Sequence, residues 1–230
     1  MPGAETDALI RAPNLILFDL DGTFADTAPD LAHALNRVLA EYQRPPLPFE
    51  SIRPVVSLGG TALVSLGFDM EEGEPGFAQR RQRFLDIYLD DIAGHTSLFP
   101  GISEVLLRIE QTQRQWGIVT NKPAWLTDPL MTALALSQRA SCVVSGDTLP
   151  QRKPHPAPIL HACELAGGSP DRAMYIGDAR RDVEAGHGAG LPVIVARYGY
   201  IPEGQDPDTW GADGMIDSPL DLLDCLDWLD

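Results

Sequence analysis

The sequence predicts an α/β protein in which helices cover a parallel sheet, with a helical subdomain inserted early in the chain. Two observations predict this fold. Short runs that are apolar throughout alternate with longer segments of helical spacing, as in βαβ units whose strands are buried on both faces. In addition, one connection between two of these runs is far longer than a crossover helix with its loops needs.

Five apolar runs are typical of buried parallel strands. They are Asn14–Phe18, Trp116–Val119, Cys142–Val144, Ala173–Ile176 and Pro192–Val195. The segments between them with helical spacing are Ile102 to Gln113, Leu126 to Leu136, Pro156 to Ala166 and Arg180 to Ala189. In sheets of this kind ligands bind at the carboxyl ends of the strands, so the polar residues that follow each run are the candidates for a site.

The long connection lies between Asp21 and Trp116, and its surplus of about 70 residues predicts the inserted subdomain. We assign residues 1–26 and 98–230 to the α/β core and residues 27–97 to a helical cap over the end of the sheet. Two segments inside the cap, 30–42 and 77–92, each place apolar side chains along one helical stripe.

Composition excludes several classes of partner. The chain has 230 residues and a net charge of −16, which argues against broad electrostatic binding of nucleic acid or an anionic membrane. The N-terminus lacks the apolar run of a signal peptide, and no stretch approaches the roughly 20 apolar residues of a membrane span. We therefore expect a soluble cytoplasmic protein, a monomer or homodimer, that acts on a small molecule.

The strongest chemical signal is Asp19-Leu-Asp-Gly-Thr23, which directly follows the first apolar run. Carboxylates two residues apart on a chain leaving a strand can both face the crevice, Asp19 as a nucleophile and Asp21 as a proton donor. Gly22 permits the sharp backbone turn between them and the next segment. An Asp-Gly turn after an edge strand is the plainer interpretation, but polar residues at the other strand ends favour the functional one.

Two further strand ends supply hydrogen-bond donors and a cation. Thr120 and Asn121 follow the second run and can donate to a phosphoryl oxygen, although a polar residue at this place is often only a helix cap. Lys153 lies in a loop before a predicted helix. The chain holds only two lysines, Lys122 and Lys153, among its 17 basic residues, so a lysine in such a loop is more than ordinary surface.

Asp178 and Asp182 follow the fourth run and lie on one face at the start of a predicted helix. They can hold a hard divalent cation through oxygen ligands, or they can simply be a cap and a first-turn acid. Together with Asp19 they would place three negative charges in one crevice, which would repel a phosphate dianion. The set therefore needs both Mg²⁺ and Lys153.

These segments, in this order and spacing, resemble the four motifs of the haloacid dehalogenase superfamily over nearly the whole chain. The resemblance implies a Rossmann-like sheet with an inserted helical cap of the family's first type, which closes to exclude water. It also implies that Asp19 is the nucleophile and forms an aspartyl phosphate, and that Asp21 is the general acid and then the base.

The same resemblance gives roles to the remaining candidates. Thr120 and Asn121 would orient the phosphoryl group, and Lys153 would steady both Asp19 and that group. Mg²⁺ would be bound by Asp19, Asp178 and the backbone carbonyl of Asp21, with Asp182 in support of these ligands.

Within the superfamily, residues 17–30 resemble the phosphoglycolate phosphatase subfamily. Segments 116–123, 196–201 and 210–213 resemble its bacterial members that act on N-acetylmuramic acid 6-phosphate. The resemblance implies a Mg²⁺-dependent phosphatase whose substrate is a small phosphorylated metabolite, N-acetylmuramic acid 6-phosphate or 2-phosphoglycolate. A phosphosugar mutase and a non-catalytic binding protein of the same fold are the alternatives. Asp21 argues against dehalogenation, and the absence of lysine from 27–97 argues against Schiff-base chemistry.

Substrate choice is expected to depend on the cap. Arg53 and the Gly59-Gly60-Thr61 turn are the candidates, because a guanidinium or free backbone N–H groups can bind a carboxylate or a sugar oxygen. Surface exposure for Arg53 and a simple helix start for the glycines are the plainer interpretations. The run Arg80-Arg81-Gln-Arg83 is expected to be a solvated helix face, with the steering of anions toward the cleft as the alternative.

Overall fold

The α/β fold is present in a computed structural model, which describes residues 13–227 and, in the last helix, side chains up to Asp224. The two ends of the predicted core, 1–12 and 228–230, lie outside the described residues. Six strands of the described chain form one sheet with the order β5-β4-β1-β6-β7-β8, and all neighbouring pairs are parallel. These strands are β1 (Leu15–Phe18), β4 (Gln115–Val119), β5 (Cys142–Val144), β6 (Ala173–Gly177), β7 (Val193–Ala196) and β8 (Gly214–Ile216).

The central position of β1 decides where a site can form. Leu15 is in register with Gln115 of β4 on one side and with Ala173 of β6 on the other. The carboxyl ends of these three strands therefore meet at one edge of the sheet, where ligands bind in folds of this kind. All four residues of β1 are buried, because helices cover both faces of the sheet.

The predicted strands are confirmed with bounds that differ by one residue at most. The sixth strand, β8, was not predicted. Its three residues, Gly214 to Ile216, follow Asp213 and begin with a glycine, so they do not form an apolar run like those of the predicted strands. It pairs with β7 at the edge of the sheet, away from the central strand ends.

Helices of the core pack against both faces of the sheet. They are α5 (Ile102–Gln111), α6 (Ala124–Ala133), α7 (Ala157–Leu165), α8 (Arg180–Gly188) and α9 (Asp221–Asp227). Side chains of β1 alternate between two apolar clusters, with Ile16 and Phe18 in one and Leu15 and Leu17 in the other. The alternation shows that each face of the sheet has its own hydrophobic core.

A group of helices lies between two short strands that pair antiparallel, β2 (Ala25–Asp26) and β3 (Ser97–Leu98). In chain order these are α1 (Ala28–Glu41), α2 (Phe49–Ile52), a 3₁₀ segment (Arg53–Leu58), α3 (Gly59–Phe68) and α4 (Phe77–Asp90). We call residues Ala28–Asp90 the cap. Gly67 lets α3 approach α1 closely, since a Cβ at this position would lie 2.9 Å from Leu35 Cδ1.

One part of the cap corrects an expectation. The helical stretch Phe49–Phe68 has a length and apolar composition sufficient to cross a membrane, although no such stretch was expected. In the structure it is divided into α2, the 3₁₀ segment and α3, and Gly59 at the junction has φ +86°. Ile52, Leu63 and Val64 are buried among the other cap helices, whereas Leu58 and Leu66 are exposed, so part of this stretch forms the cap interior.

Candidate active site

Asp19 lies at the first position after β1 and is buried, with 3% of its surface exposed. Its Oδ1 accepts a hydrogen bond from the backbone N–H of Leu20 at 2.8 Å and lies 2.9 Å from Lys153 Nζ. Its Oδ2 lies 3.8 Å from the Arg181 guanidinium. Burial raises the pKa of Asp19, while the neighbouring Lys153 acts to lower it.

Lys153 is the cation at the centre of the site, and its side chain is fully buried. Its Nζ lies 2.9 Å from Asp19 Oδ1 and 2.8 Å from Asp182 Oδ1. It also donates to Val119 O at 2.8 Å and to the Tyr175 hydroxyl at 2.7 Å. The two buried carboxylates therefore lie on either side of one enclosed lysine, which offsets their negative charge.

Asp178 and Asp182 follow β6 and are both fully buried. Asp178 Oδ2 accepts hydrogen bonds from Ser57 Oγ and from the Tyr200 N–H, each at 2.8 Å. Asp182 Oδ2 accepts one from the Ala179 N–H at 3.0 Å, while its Oδ1 faces Lys153. Burial and the carboxylates around it raise the pKa of Asp178 to about 7.

These carboxylates fit a hard divalent cation. One oxygen each from Asp19, Asp178 and Asp182 lies within 4.8 Å of the others. Asp178 Oδ1 is buried and has no hydrogen-bond partner among the described residues, so this oxygen is available as a ligand. The backbone beside it is tightly packed, because a Cβ on Gly22 would lie 2.1 Å from Asp178 Oδ2 and one on Gly199 would lie 2.3 Å from Asp178 Cβ.

Asp21 is held by a second lysine that the sequence did not assign to a role. Asp21 Oδ1 accepts a hydrogen bond from Thr27 Oγ1 at 2.6 Å and lies 2.9 Å from Lys122 Nζ. The Lys122 ammonium also lies 4.6 Å from the centroid of the Tyr88 ring, on the cap helix α4. Burial opposes the charge of Lys122, but Asp21 raises the pKa of this lysine above its usual range.

Thr120 and Asn121 follow β4 and line the same cavity as Asp19. The Thr120 hydroxyl accepts a hydrogen bond from the Lys122 N–H at 3.1 Å. The Asn121 amide is already engaged, since its Nδ2 donates to Lys153 O at 2.9 Å and its Oδ1 accepts from the Lys153 N–H at 3.0 Å. Asn121 thus fixes the backbone of the lysine loop, an effect that sequence spacing alone did not indicate.

The specificity candidates in the cap divide into two groups. Gly59, Gly60 and Thr61 line the cavity. Arg53 is directed elsewhere, because it donates to Gly199 O at 3.1 Å and to Tyr198 O at 3.0 Å in a loop of the core. Arg53 therefore ties the cap to the core and is not among the residues that line the cavity.

A cavity of about 520 Å³ separates the cap from the strand ends. Its floor consists of the polar residues that follow the strands together with Lys153 and Arg181, and its roof is mostly apolar. Lys122, Ser57 and Arg181 are among the polar lining residues that sequence reasoning missed. Of these, only Lys122 carried a signal in the sequence, namely the scarcity of lysine.

Comparison with known proteins assigns the family. The sequence profile of the haloacid dehalogenase-like hydrolases matches residues 16–196, which include every strand-end residue described above. This chain belongs to the haloacid dehalogenase-like hydrolases. Both the family and the α/β fold predicted from the sequence motifs are thereby confirmed.

Other haloacid dehalogenase-like hydrolases match nearly the full length of the chain. The N-acetylmuramic acid 6-phosphate phosphatase of Pseudomonas putida is 39% identical over 212 residues, which cover 92% of this chain and 95% of the relative. The phosphoglycolate phosphatase of Xanthomonas campestris pv. campestris is 37% identical over 219 residues, covering 95% of this chain and 99% of that protein.

The structural comparison agrees with the sequence comparison. The crystal structure of a predicted phosphoglycolate phosphatase from Haemophilus somnus superposes with a TM-score of 0.82 at 28% identity. The superposition covers 95% of this chain and 99% of that one. The core and the cap together are therefore similar to those of a solved haloacid dehalogenase-like hydrolase.

Proposed function

We propose that this protein is a Mg²⁺-dependent phosphatase that hydrolyses a small phosphomonoester through an aspartyl-phosphate intermediate on Asp19. The observation that carries the proposal is the pair Asp19 and Asp21 on the floor of one cavity, each held by its own lysine. The phosphatase names of two relatives that match nearly the whole chain support the same reaction class.

In the first step, a carboxylate oxygen of Asp19 attacks the phosphorus atom of the ester. The new bond joins this oxygen to phosphorus, and the bond from phosphorus to the alcohol oxygen breaks. Asp21 gives its proton to the leaving alcohol oxygen, as a general acid. Lys153, 2.9 Å from Asp19 Oδ1, holds the nucleophile in place and offsets negative charge that builds up on the phosphoryl oxygens.

In the second step, Asp21 accepts a proton from a water molecule that attacks the phosphorus atom. The bond from Asp19 to phosphorus breaks, inorganic phosphate is released, and both carboxyl groups return to their starting state. Lys122 and Thr27 keep Asp21 at the same place for both proton transfers. Closure of the cap over the strand ends limits the access of bulk water to the intermediate.

Asp19, Asp178 and the backbone carbonyl of Asp21 would hold Mg²⁺, with Asp182 behind them. When bound, the ion supplies positive charge that offsets the carboxylates and the phosphate dianion. Ser57 and the Tyr200 N–H bind Asp178 Oδ2, which leaves Oδ1 as the ligand atom.

The substrate we propose is N-acetylmuramic acid 6-phosphate, with 2-phosphoglycolate as the second candidate. A cavity of about 520 Å³ lies in the range of sites for drug-sized ligands and is larger than a two-carbon ester needs. The name of the Pseudomonas putida relative supports the amino sugar. The name of the Xanthomonas campestris relative supports the smaller ester.

The test compares Asp19→Asn with Asp128→Asn, which changes an exposed carboxylate on α6. Phosphate release is measured with Mg²⁺ on both candidate substrates and on p-nitrophenyl phosphate. We expect Asp19→Asn to lose at least about 10⁴-fold in kcat, because the nucleophile is gone, while Asp128→Asn behaves as the wild type.

Ordinary activity of Asp19→Asn would show that another group is the nucleophile. If the wild type has a higher kcat/KM for 2-phosphoglycolate than for the amino sugar, the smaller ester is the physiological substrate. Phosphorus NMR of the products separates hydrolysis from a mutase reaction, since a mutase returns the phosphoryl group to sugar and releases no inorganic phosphate.

A further inference from the structure

Three arginines that are close in sequence on α4 have different surroundings. Arg83 forms an ion pair with Glu41 at 2.6 Å. Arg80 lies over aromatic rings of the cap, 4.6 Å from the centroid of Tyr42. Arg81 lines the cavity instead, and it has no ion pair with any residue that the structure describes. The expectation of one solvated face for all three is therefore wrong.

The environment of Arg81 calls for an anion. Its side chain is half-buried, and its Nε is buried without a hydrogen-bond partner among the described residues. A buried donor of a charged group that lacks a partner is costly, so such groups are normally satisfied by a ligand or by an acid of the protein. Glu72 also lines the cavity, but it is exposed and forms no ion pair with Arg81 within 4.0 Å.

Helix geometry places Arg81 far from the reacting atoms. Arg81, Phe84, Leu85 and Tyr88 all line the cavity and share one face of α4. Tyr88 packs on Lys122, which holds the general acid Asp21. The Tyr88 end of this helix face therefore lies near the proposed reacting groups. Arg81 starts two turns earlier, about 10 Å along the helix axis, with the apolar Phe84 and Leu85 between them.

We propose that Arg81 binds a carboxylate at the end of the substrate opposite to the phosphate, and so determines specificity for a phosphorylated sugar acid. A guanidinium matches a carboxylate through two parallel hydrogen bonds. The distance fits an acid group attached at the far side of a sugar ring. It does not fit 2-phosphoglycolate, whose carboxylate is bonded to the carbon that carries the ester. This inference rests on the proposed phosphatase function and refines its substrate.

The test uses two sugars that differ only in the acid group, N-acetylmuramic acid 6-phosphate and N-acetylglucosamine 6-phosphate. kcat/KM is measured for each with wild type, Arg81→Gln, Arg81→Lys and the control Arg83→Gln, whose arginine faces Glu41. We expect the wild type to prefer the sugar acid, and Arg81→Gln to lose that preference by about 50-fold, mostly through KM. Arg81→Lys is expected to keep part of it, and Arg83→Gln all of it.

Two results would overturn the role of Arg81: equal losses on both sugars in Arg81→Gln, or an unchanged preference. A wild type that fails to prefer the sugar acid would also overturn it. If the wild type hydrolyses p-nitrophenyl phosphate but neither sugar, the sugar-acid inference fails while the phosphatase function stands. If no phosphomonoester is hydrolysed with Mg²⁺, the phosphatase function itself fails.

Discussion

The two walls of the cavity differ in how their charges are balanced. On the core wall, both lysines and three of the carboxylates form ion pairs: Lys153 lies between Asp19 and Asp182, and Lys122 holds Asp21. The cap wall is mostly apolar, and its Arg81 has no such partner among the described residues. The contrast indicates that the core wall is organised for one reaction, whereas the cap wall is completed by the substrate.

Removal of Lys153 should have the largest effect on the core wall. Lys153→Met leaves Asp19 and Asp182 buried without their cation, so we expect activity to fall at least about 10³-fold. We expect the free energy of unfolding to fall by about 3–5 kcal/mol. Phosphate release and urea denaturation measure the two effects.

Two further variants sharpen this prediction. The double variant Lys153→Met with Asp182→Asn should recover part of the stability but not the activity. It removes one of the two buried carboxylates that Lys153→Met leaves without a lysine. Lys122→Met should cost less stability, since its partner Asp21 has 17% of its side chain exposed. If the double variant is no more stable than Lys153→Met, the two unpaired carboxylates are not the cause of the lost stability.

The core wall was largely predictable from the sequence, and the reason is physical. Asp19, Thr120 and Asp178 each follow a buried apolar run, and the topology of a parallel sheet brings such strand ends together. The role of Asn121 in holding Lys153 was not predictable, because it depends on side-chain contacts between two loops.

The cap wall was predicted less well for a related reason. Helical periodicity predicts that α4 buries one face, but it cannot tell whether the helix faces the cavity with Arg81 or with Arg83. That choice follows from how α4 packs on α1, where Glu41 pairs with Arg83. Arg53 was expected near the substrate for its charge alone, and the structure shows it bound to core carbonyls instead.

Mg²⁺ should stabilise the folded protein more at pH 8 than at pH 5.5. Burial raises the pKa of Asp178 to about 7 from 3.8, so without metal the folded protein binds this proton more tightly than the unfolded chain does. The stability contributed by this proton is present at low pH and is lost as pH rises through about 7. Protons compete with Mg²⁺ for the same carboxylate, so the gain from the metal grows over that range.

The measurement is the rise in Tm on addition of Mg²⁺, recorded at both pH values for wild type and Asp178→Asn. We expect the variant to lose most of the metal-dependent rise. An equal rise in the two proteins would place the ion at a different site.

The smallest effect is expected where the cap is tied to the core. Arg53→Gln loses hydrogen bonds to Tyr198 O and Gly199 O, which should weaken closure of the cap by about 1–2 kcal/mol. We expect KM to rise by several fold with little change in kcat. Arg37→Gln, on an exposed face of α1, is the control. A large fall in kcat with unchanged KM would mean that Arg53 affects the chemical step and not the closure of the cap.

The central claim is that the core wall carries out phosphoryl transfer through Asp19, and one measurement tests it most directly. Asp21→Asn is mixed with p-nitrophenyl phosphate and Mg²⁺ and quenched in acid, and the protein is analysed by mass spectrometry. This leaving group needs no proton, whereas the second step needs the base, so the intermediate should accumulate. We predict a burst of p-nitrophenolate and one phosphoryl group on Asp19. Turnover at the wild-type rate without a burst, or a phosphoryl group on another residue, would contradict the claim.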